Sequence, residues 1–275
     1  MNAEHSREAF LAFSTQLESN ARSLDDCIGL TFLGSTAALE RADEWSDHDF
    51  FLIVKPGTGE KHRKDLSWLP NFDDIAMATR ETDHGLKVAY ANGHILEFAV
   101  FEDAELELAA VTDYSVPVDK QDITARMAAI AARPAPKPRA VEREFELMLE
   151  LIIIGVGRAR RGETLMAGQF IRSYIVSNLL SIISQTIESA DASGKSVDSL
   201  NPFRRFELRY PQFAARIEEA LQKDLDSAAR GLLEILKDVF GAALTVSQRA
   251  KIAVVERRLG WQASRSNAAP PSRLG

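Results

Sequence analysis

The chain has 275 residues, of which 45% are hydrophobic and 27% charged, a composition typical of globular proteins with one or two domains. Its formal net charge of −7 excludes the general attraction to phosphate backbones on which non-specific nucleic-acid binders depend. Its single cysteine, Cys27, excludes an intramolecular disulfide and a cysteine-based zinc site.

No segment has the pattern of a secretory signal or of a membrane span. The amino-terminal residues lack a basic stretch followed by an apolar one. The most apolar run, 147–156, is too short to cross a bilayer. We therefore expect a cytoplasmic protein with no membrane partner.

The first half of the chain is predicted to form a small mixed sheet with helices. The predicted elements are a helix over 5–22, strands over 28–33, 50–54, 75–79, 86–91 and 95–101, and a helix starting within 37–41. Asn92-Gly93 predicts a hairpin between the last two strands.

Alternating prolines indicate a domain boundary at residues 133–139, since they favour an extended connector. The alternative is a proline-rich loop within one domain. Residues 140–261 are predicted to form a helical bundle, and 262–275 a disordered tail. Helix-period apolar residues recur over 141–160, 166–189, 210–221, 224–240 and 245–259. The fold class is thus α+β, a mixed-sheet domain followed by an α-helical bundle.

Asp47 and Asp49 lie just before the apolar run 50–54, which is predicted to form a strand. Because strand side chains alternate between faces, both carboxylates are expected on one face, with Cα atoms roughly 7 Å apart. Carboxylates at that separation can share a metal ion. An Asp-x-Asp pair is also common by chance, and a turn at Ser46-Asp47 is the alternative interpretation.

Gly34 and Ser35 end the first predicted strand where a helix is expected to start. Such a turn presents backbone N–H groups and a hydroxyl to a phosphate. The alternative is an ordinary glycine turn in which the serine caps the helix.

Glu97 lies in the middle of the apolar run 95–101, where an unpaired carboxylate is costly to bury. If this strand lies beside the one that follows Asp47 and Asp49, three carboxylates converge and repel one another unless a cation is bound. Oxygen ligands favour Mg²⁺ or Mn²⁺. The alternative is an edge strand with Glu97 in solvent.

Gly34-Ser35, Arg41, the segment 45–50 (Trp-Ser-Asp-His-Asp-Phe) and the later Glu97 together resemble the nucleotidyltransferases of the DNA polymerase beta superfamily. Within that superfamily the chain is similar to small bacterial aminoglycoside and lincosamide nucleotidyltransferases. The resemblance covers residues 28–101, and a helical domain after the catalytic one fits these relatives.

The resemblance implies that residues 1–132 are a catalytic domain in which Gly34 and Ser35 hold a nucleoside triphosphate. Asp47, Asp49 and Glu97 would bind the metal ions, and Glu97 would also help to activate the acceptor hydroxyl. His48 departs from the family, which often has an aliphatic residue there. We expect His48 on the opposite face, packing rather than catalysing.

The implied reaction moves a nucleoside monophosphate, AMP from ATP in our interpretation, onto a hydroxyl of a small molecule and releases pyrophosphate. An aminoglycoside-like cation is one possible acceptor. Two alternatives stay open: a binding module without catalysis, and nucleotidylation of a protein such as a toxin partner.

A separate general base is predicted in the helical half, with Glu163 as the first candidate because it follows a basic helix end expected to face an interdomain cleft. Glu144, Glu146 and Glu150 are further candidates. A solvated basic helix terminus is the alternative reading of the Glu163 region. No Gly-x-x-x-x-Gly-Lys loop is present, which excludes a P-loop ATPase.

Overall fold

The structure is a computed structural model that describes residues 3–134, 137–191, 201 and 203–262. The chain divides into two compact units, Met1–Pro134 and Ala135–Gly275. The division falls within the proline-rich segment 133–139, of which residues 135 and 136 lie outside the described residues. So does the predicted tail beyond residue 262.

The first unit is built on a six-stranded mixed sheet. Its strands are β1 (Cys27–Leu33), β2 (His48–Val54), β3 (Ile75–Arg80), β4 (Gly85–Tyr90), β5 (Ile95–Glu102) and β6 (Tyr114–Asp119). Their order is β3-β4-β5-β2-β1-β6. β2 and β5 run parallel, and every other neighbouring pair is antiparallel. The prediction of an α+β fold around a mixed sheet is confirmed.

Four helices accompany the sheet in the first unit: α1 (Ala3–Ser23), α2 (Gly34–Ala37), α3 (Gly59–Lys64) and α4 (Ile123–Ala131). One face of the sheet packs against α1 through Leu17 and Ala21, and the other packs against α4 through Ile123 and Met127. On the α4 face, the apolar cover reaches Ile53 of β2 and Ala99 and Phe101 of β5 but stops short of the amino ends of these strands. This half-covered face leaves room for polar groups.

Two details of the first unit differ from the sequence prediction. The helix expected over 37–41 is instead the four-residue α2 followed by a 3-10 turn at Leu39–Arg41. Strand β6 was not predicted, because Pro117 interrupts its apolar pattern. Pro117 is tolerated because β6 is an edge strand, where proline costs no ladder hydrogen bond to an outer neighbour.

The second unit contains helices and no strand among its described residues. Its helices are α5 (Val141–Arg160), α6 (Thr164–Gln169), α7 (Val176–Thr186), α8 (Phe206–Arg209), α9 (Pro211–Leu221), α10 (Leu225–Phe240) and α11 (Val246–Leu259). A π-helical segment, Phe170–Ile175, joins α6 to α7, so the helix predicted over 166–189 contains a change of pitch and ends earlier. The core is apolar and includes Phe145, Ile152, Leu179 and Leu232. No helix in the described part of the chain is long and apolar enough to cross a membrane.

Candidate active site

Three carboxylates meet at the amino ends of β2 and β5. Because these strands are parallel and in register, Asp49 lies directly opposite Glu97. Asp47 comes just before β2 and returns to the same face two residues away from Asp49. Asp47, Asp49 and Glu97 each offer an oxygen, and these oxygens lie within 4.8 Å of one another. The structure therefore brings together the three acids that the sequence singled out.

Gly34 is shaped for close contact with one of these acids. Its φ of +50° is a backbone conformation that residues with a Cβ atom rarely adopt. A Cβ added to Gly34 would lie 3.0 Å from Asp49 Oδ2. Two residues later, the Thr36 hydroxyl accepts a hydrogen bond of 2.9 Å from the Asp49 N–H. The turn after β1 thus fixes the backbone and side chain of Asp49 together.

The Gly-Ser turn differs from the predicted phosphate cradle in its backbone N–H groups and in the length of the helix that follows. The Gly34 N–H donates to the Asp113 carbonyl at 3.3 Å and so is not open to a ligand. α2 has only four residues, so its dipole is small. Arg41 braces the turn by donating to the Gly34 carbonyl at 3.1 Å and pairing with the Asp113 carboxylate at 2.8 Å. Ser35, half-buried, is left as the polar group of this turn nearest the amino end of α2.

Lys87 forms an ion pair with one member of the acidic cluster. It lies opposite Glu97 on the neighbouring strand β4, and its Nζ is 3.1 Å from Glu97 Oε1 and 3.2 Å from Glu81 Oε1. Hydrogen bonds to Glu97 and Glu81 raise the pKa of Lys87, so the ammonium stays charged. Lys87 thus pairs with Glu97, one of the three carboxylates of the cluster.

His48, between the two aspartates in sequence, points to the opposite face as expected. It is fully buried, and its ring stacks on Phe10 at 3.8 Å between centroids. Both ring nitrogens are hydrogen-bonded: Nε2 lies 2.9 Å from Ser14 Oγ, and Nδ1 lies 2.9 Å from His94 Nε2. Burial lowers the pKa of His48 to about 3, and burial also lowers that of His94, so both rings are neutral at neutral pH.

A cavity of about 1360 Å³ adjoins the carboxylate cluster. Its wall is formed by the first half of α1, the segment before β2 and the β4–β5 hairpin. Among the described residues, five carboxylates and no lysine or arginine line it: Asp43, Glu44, Asp47, Asp74 and Glu97. The cavity therefore favours a ligand with positive charge, or a ligand bound together with cations.

The spacing and the ligand atoms of Asp47, Asp49 and Glu97 fit a divalent ion that is held by oxygen atoms. Mg²⁺ holds oxygens at about 2.1 Å, so ligand atoms of one ion lie at most roughly 4.2 Å apart, close to the spacing found here. The cluster contains no sulfur or imidazole ligand, which favours Mg²⁺ or Mn²⁺ over zinc.

Glu163, the predicted base, lies in the helical unit and is not part of this cluster. Its carboxylate accepts from the guanidinium groups of Arg161, at 2.9 Å, and Arg158. These hydrogen bonds lower the pKa of Glu163 and make it a weaker base. Of the other candidates, Glu146 pairs with Lys251, while Glu150 is exposed on α5.

Sequence reasoning missed several groups that surround the cluster. Thr36, Lys87 and His94 all lie in contact with residues that it did identify. Lys87 could have been found from the Asn92-Gly93 hairpin, whose turn fixes which residue of one strand faces Glu97 on the other. Thr36 and His94 carry no such signal, because their contacts depend on tertiary packing.

Comparison with known proteins gives structural matches only. No protein-family model matches the chain, and a search of curated proteins found no similar sequence. Among solved structures, the chain is similar to an aminoglycoside 6-adenyltransferase from Bacillus subtilis, with 12% identity, a TM-score of 0.32 and coverage of 89% of this chain and 96% of that one.

Two further similar structures come from other bacteria. One is CdnC of Escherichia coli MS115-1 in complex with HORMA-deltaN, with 15% identity, a TM-score of 0.31 and coverage of 87% and 92%. The other is a STING-associated CdnE c-di-GMP synthase from Capnocytophaga granulosa, with 12% identity, a TM-score of 0.31 and coverage of 94% and 84%. The first match is of the enzyme class that the sequence resembles. At these TM-scores the likenesses carry no functional argument, and the case for function rests on the geometry of the site.

Proposed function

We propose that this protein is a metal-dependent nucleotidyltransferase that moves a nucleoside monophosphate from a nucleoside triphosphate onto a hydroxyl of a small molecule. AMP from ATP is the proposed donor group, as the sequence resemblance implies. The observation that carries the proposal is the convergence of Asp47, Asp49 and Glu97 within 4.8 Å beside a glycine turn.

Asp47, Asp49 and Glu97 would hold Mg²⁺ or Mn²⁺. When bound, such ions would neutralise the cluster and stabilise charge that develops on the attacking and leaving oxygens. The three side chains lie on a face that α4 leaves uncovered, so a triphosphate can reach them. Ser35, at the start of α2, is the proposed contact for the triphosphate, and Gly34 provides the space that lets the turn lie against Asp49.

The acceptor would occupy the cavity beside Asp47 and Glu97. The acidic side chains along its wall favour a cationic acceptor such as an aminoglycoside-like amine. The acceptor oxygen would attack the α-phosphorus, the bond from that phosphorus to the bridging oxygen would break, and pyrophosphate would leave. Glu97 is the proposed acceptor of the hydroxyl proton, because it lines the cavity that would hold the acceptor, whereas Glu163 is engaged by Arg158 and Arg161.

The test is pyrophosphate release from ATP and Mg²⁺ across a panel of aminoglycosides, lincosamides and candidate proteins. We expect release with at least one small cationic acceptor, and loss of nearly all of it in Asp49→Asn. Asp83→Asn, which removes the same charge from the exposed turn between β3 and β4, is the matched control and should retain activity. Release with a protein acceptor alone would contradict the proposed small-molecule acceptor, and silence across the panel would contradict the enzyme.

A further inference from the structure

The hydrogen bonds of His48 link the strands that carry the three carboxylates. His48 lies between Asp47 and Asp49 at the amino end of β2. Its partner His94 immediately precedes β5 and lies three residues before Glu97. One hydrogen bond of 2.9 Å therefore joins the segment bearing two of the acids to the segment bearing the third.

The same imidazole is also anchored to α1. Its Nε2 lies 2.9 Å from Ser14 Oγ and 3.3 Å from the Phe10 carbonyl oxygen. The rings of Phe10 and Phe13 lie 3.8 Å and 4.8 Å from it, centroid to centroid. The ring of His48 thus has contacts with α1 and with the β4–β5 hairpin, and it is buried completely.

The Phe10 carbonyl favours one direction for the hydrogen bonds of this network. A carbonyl oxygen can only accept, so its distance of 3.3 Å from His48 Nε2 favours a proton on that nitrogen, which then also donates to Ser14 Oγ. A neutral imidazole has one N–H, so in this arrangement His48 Nδ1 accepts from His94 Nε2–H. Both histidines then carry their proton on Nε2.

We propose that His48 and His94 are positioning residues for the carboxylate cluster, whose hydrogen bond holds Asp47 and Asp49 at the distance from Glu97 that one divalent ion requires. The inference rests on the proposed function, because it assumes that the cluster binds metal.

Packing alone would not supply this restraint. Like charges on the three acids repel one another in the absence of an ion, and the His48–His94 hydrogen bond adds a side-chain contact to the backbone pairing of β2 with β5. An aliphatic side chain at position 48 would fill the same volume without a directional contact to β5. Hydrogen bonds behind metal ligands preorganise a site in this way, and their loss costs about 10- to 100-fold in metal affinity or activity.

The experiment is calorimetric titration of the full chain with Mn²⁺, without nucleotide, beside the melting temperature of each variant. His48→Leu and His94→Leu should each weaken Mn²⁺ binding by about ten-fold. His94→Gln should bind within about two-fold of the wild type, because the amide nitrogen of glutamine can take the place of Nε2 as donor. Val54→Ala is the control, since it removes buried volume from the same face of β2 at the other end of the strand.

The outcomes distinguish a failure of the proposed function from a failure of the positioning role. Wild-type protein that binds no Mn²⁺ would contradict the proposed function. Wild-type binding with equal affinity in His48→Leu and His94→Leu would overturn the positioning role alone. A loss in Val54→Ala as large as that in the leucine variants would also overturn it, since stability would then explain the effect. If His48→Leu does not fold, the contrast between His94→Leu and His94→Gln decides.

A spectroscopic readout is independent of metal. In ¹⁵N NMR spectra of the metal-free protein, the hydrogen bond between His48 Nδ1 and His94 Nε2 requires a proton on one of these two nitrogens, and we expect it on His94 Nε2. A proton on both nitrogens, or on neither, would contradict the hydrogen bond.

Discussion

The two units of this protein bury different kinds of side chain. Seven polar or charged residues are buried in the described parts of the chain, and five of them lie in the sheet unit: Ser14, Thr31, Thr36, His48 and His62. Three of these five, Ser14, Thr36 and His48, belong to the hydrogen bonds that surround the acidic cluster. Buried polar groups are costly unless paired, so their concentration marks the region where geometry must be held in place.

The helical unit shows the opposite pattern. Its buried core is almost entirely aliphatic and aromatic, and Glu144 and Asn178 are the only polar residues buried among its described residues. Among the described residues, Asp47, Asp49 and Glu97 are the one group of acids, histidines and cysteines whose atoms could share a metal ion. This contrast favours the proposed location of the chemistry in the sheet unit, and substitutions in each unit test it.

Among substitutions that leave the three carboxylates in place, the largest effect on nucleotidyl transfer is expected at Gly34. Gly34→Ala places a Cβ 3.0 Å from Asp49 Oδ2 in a strained backbone, and a shift of the carboxylate by about 1 Å should cost about 100-fold in nucleotidyl transfer. Gly57→Ala is the matched control, because Gly57 also has a positive φ, +79°, but a Cβ there meets nothing within 4 Å. Both variants should lose about 1–2 kcal/mol of stability. Equal activities in the two variants would contradict a role for the Gly34 contact with Asp49.

A second prediction concerns stability in acid. The pKa of His48 is about 3 in the folded protein, because of burial and then the neighbouring His94, against an ordinary value of 6.5. Below pH 6.5 His48 therefore binds a proton in the unfolded chain but not in the folded one. The free energy of unfolding consequently falls as the pH drops toward 3. Between pH 6.5 and 4.5 this effect amounts to about 2–3 kcal/mol.

Urea unfolding at both pH values checks this loss. His48→Leu should remove most of it, whereas Val54→Ala should lower stability by the same amount at each pH. A pH dependence that is unchanged in His48→Leu would show that His48 is not the group that titrates.

The smallest effect is expected in the helical unit. Glu163→Gln should change kcat by less than about three-fold, since Glu163 is held by two arginines and is a weak base there. Glu142→Gln, on the exposed surface of α5, serves as the comparison. A fall in kcat of about 100-fold or more in Glu163→Gln alone would identify Glu163 as the general base and extend the active site into the helical unit.

The sequence predicted what depends on periodicity and could not predict what depends on packing. Alternation along β2 placed Asp47 and Asp49 on one face and His48 on the other, and the structure agrees. The sequence did not predict that β2 pairs with β5, because strand order depends on contacts between residues far apart in the chain. The convergence of the three acids was therefore expected only if the two strands were neighbours. The Gly34 N–H was expected to be free but is taken by Asp113, from a segment preceding the unpredicted strand β6.

The helical unit was easier to predict and less informative. Apolar residues at helical spacing gave most of its long helices, but the π-helical segment Phe170–Ile175 was missed because its apolar residues also fit an ordinary α-helix. Glu163 was singled out from its basic neighbours, which are instead the groups that engage it.

The central claim is that the three carboxylates bind a divalent ion together with a nucleotide. The most direct measurement is the melting temperature with ATP, with and without Mg²⁺, in the wild type and in Asp49→Asn. At ATP concentrations about 100-fold above Kd, the wild type should gain roughly 5–10 °C with Mg²⁺ present, and Asp49→Asn should lose the magnesium-dependent part. A wild-type protein that is stabilised equally with and without Mg²⁺, or not at all, would contradict the account.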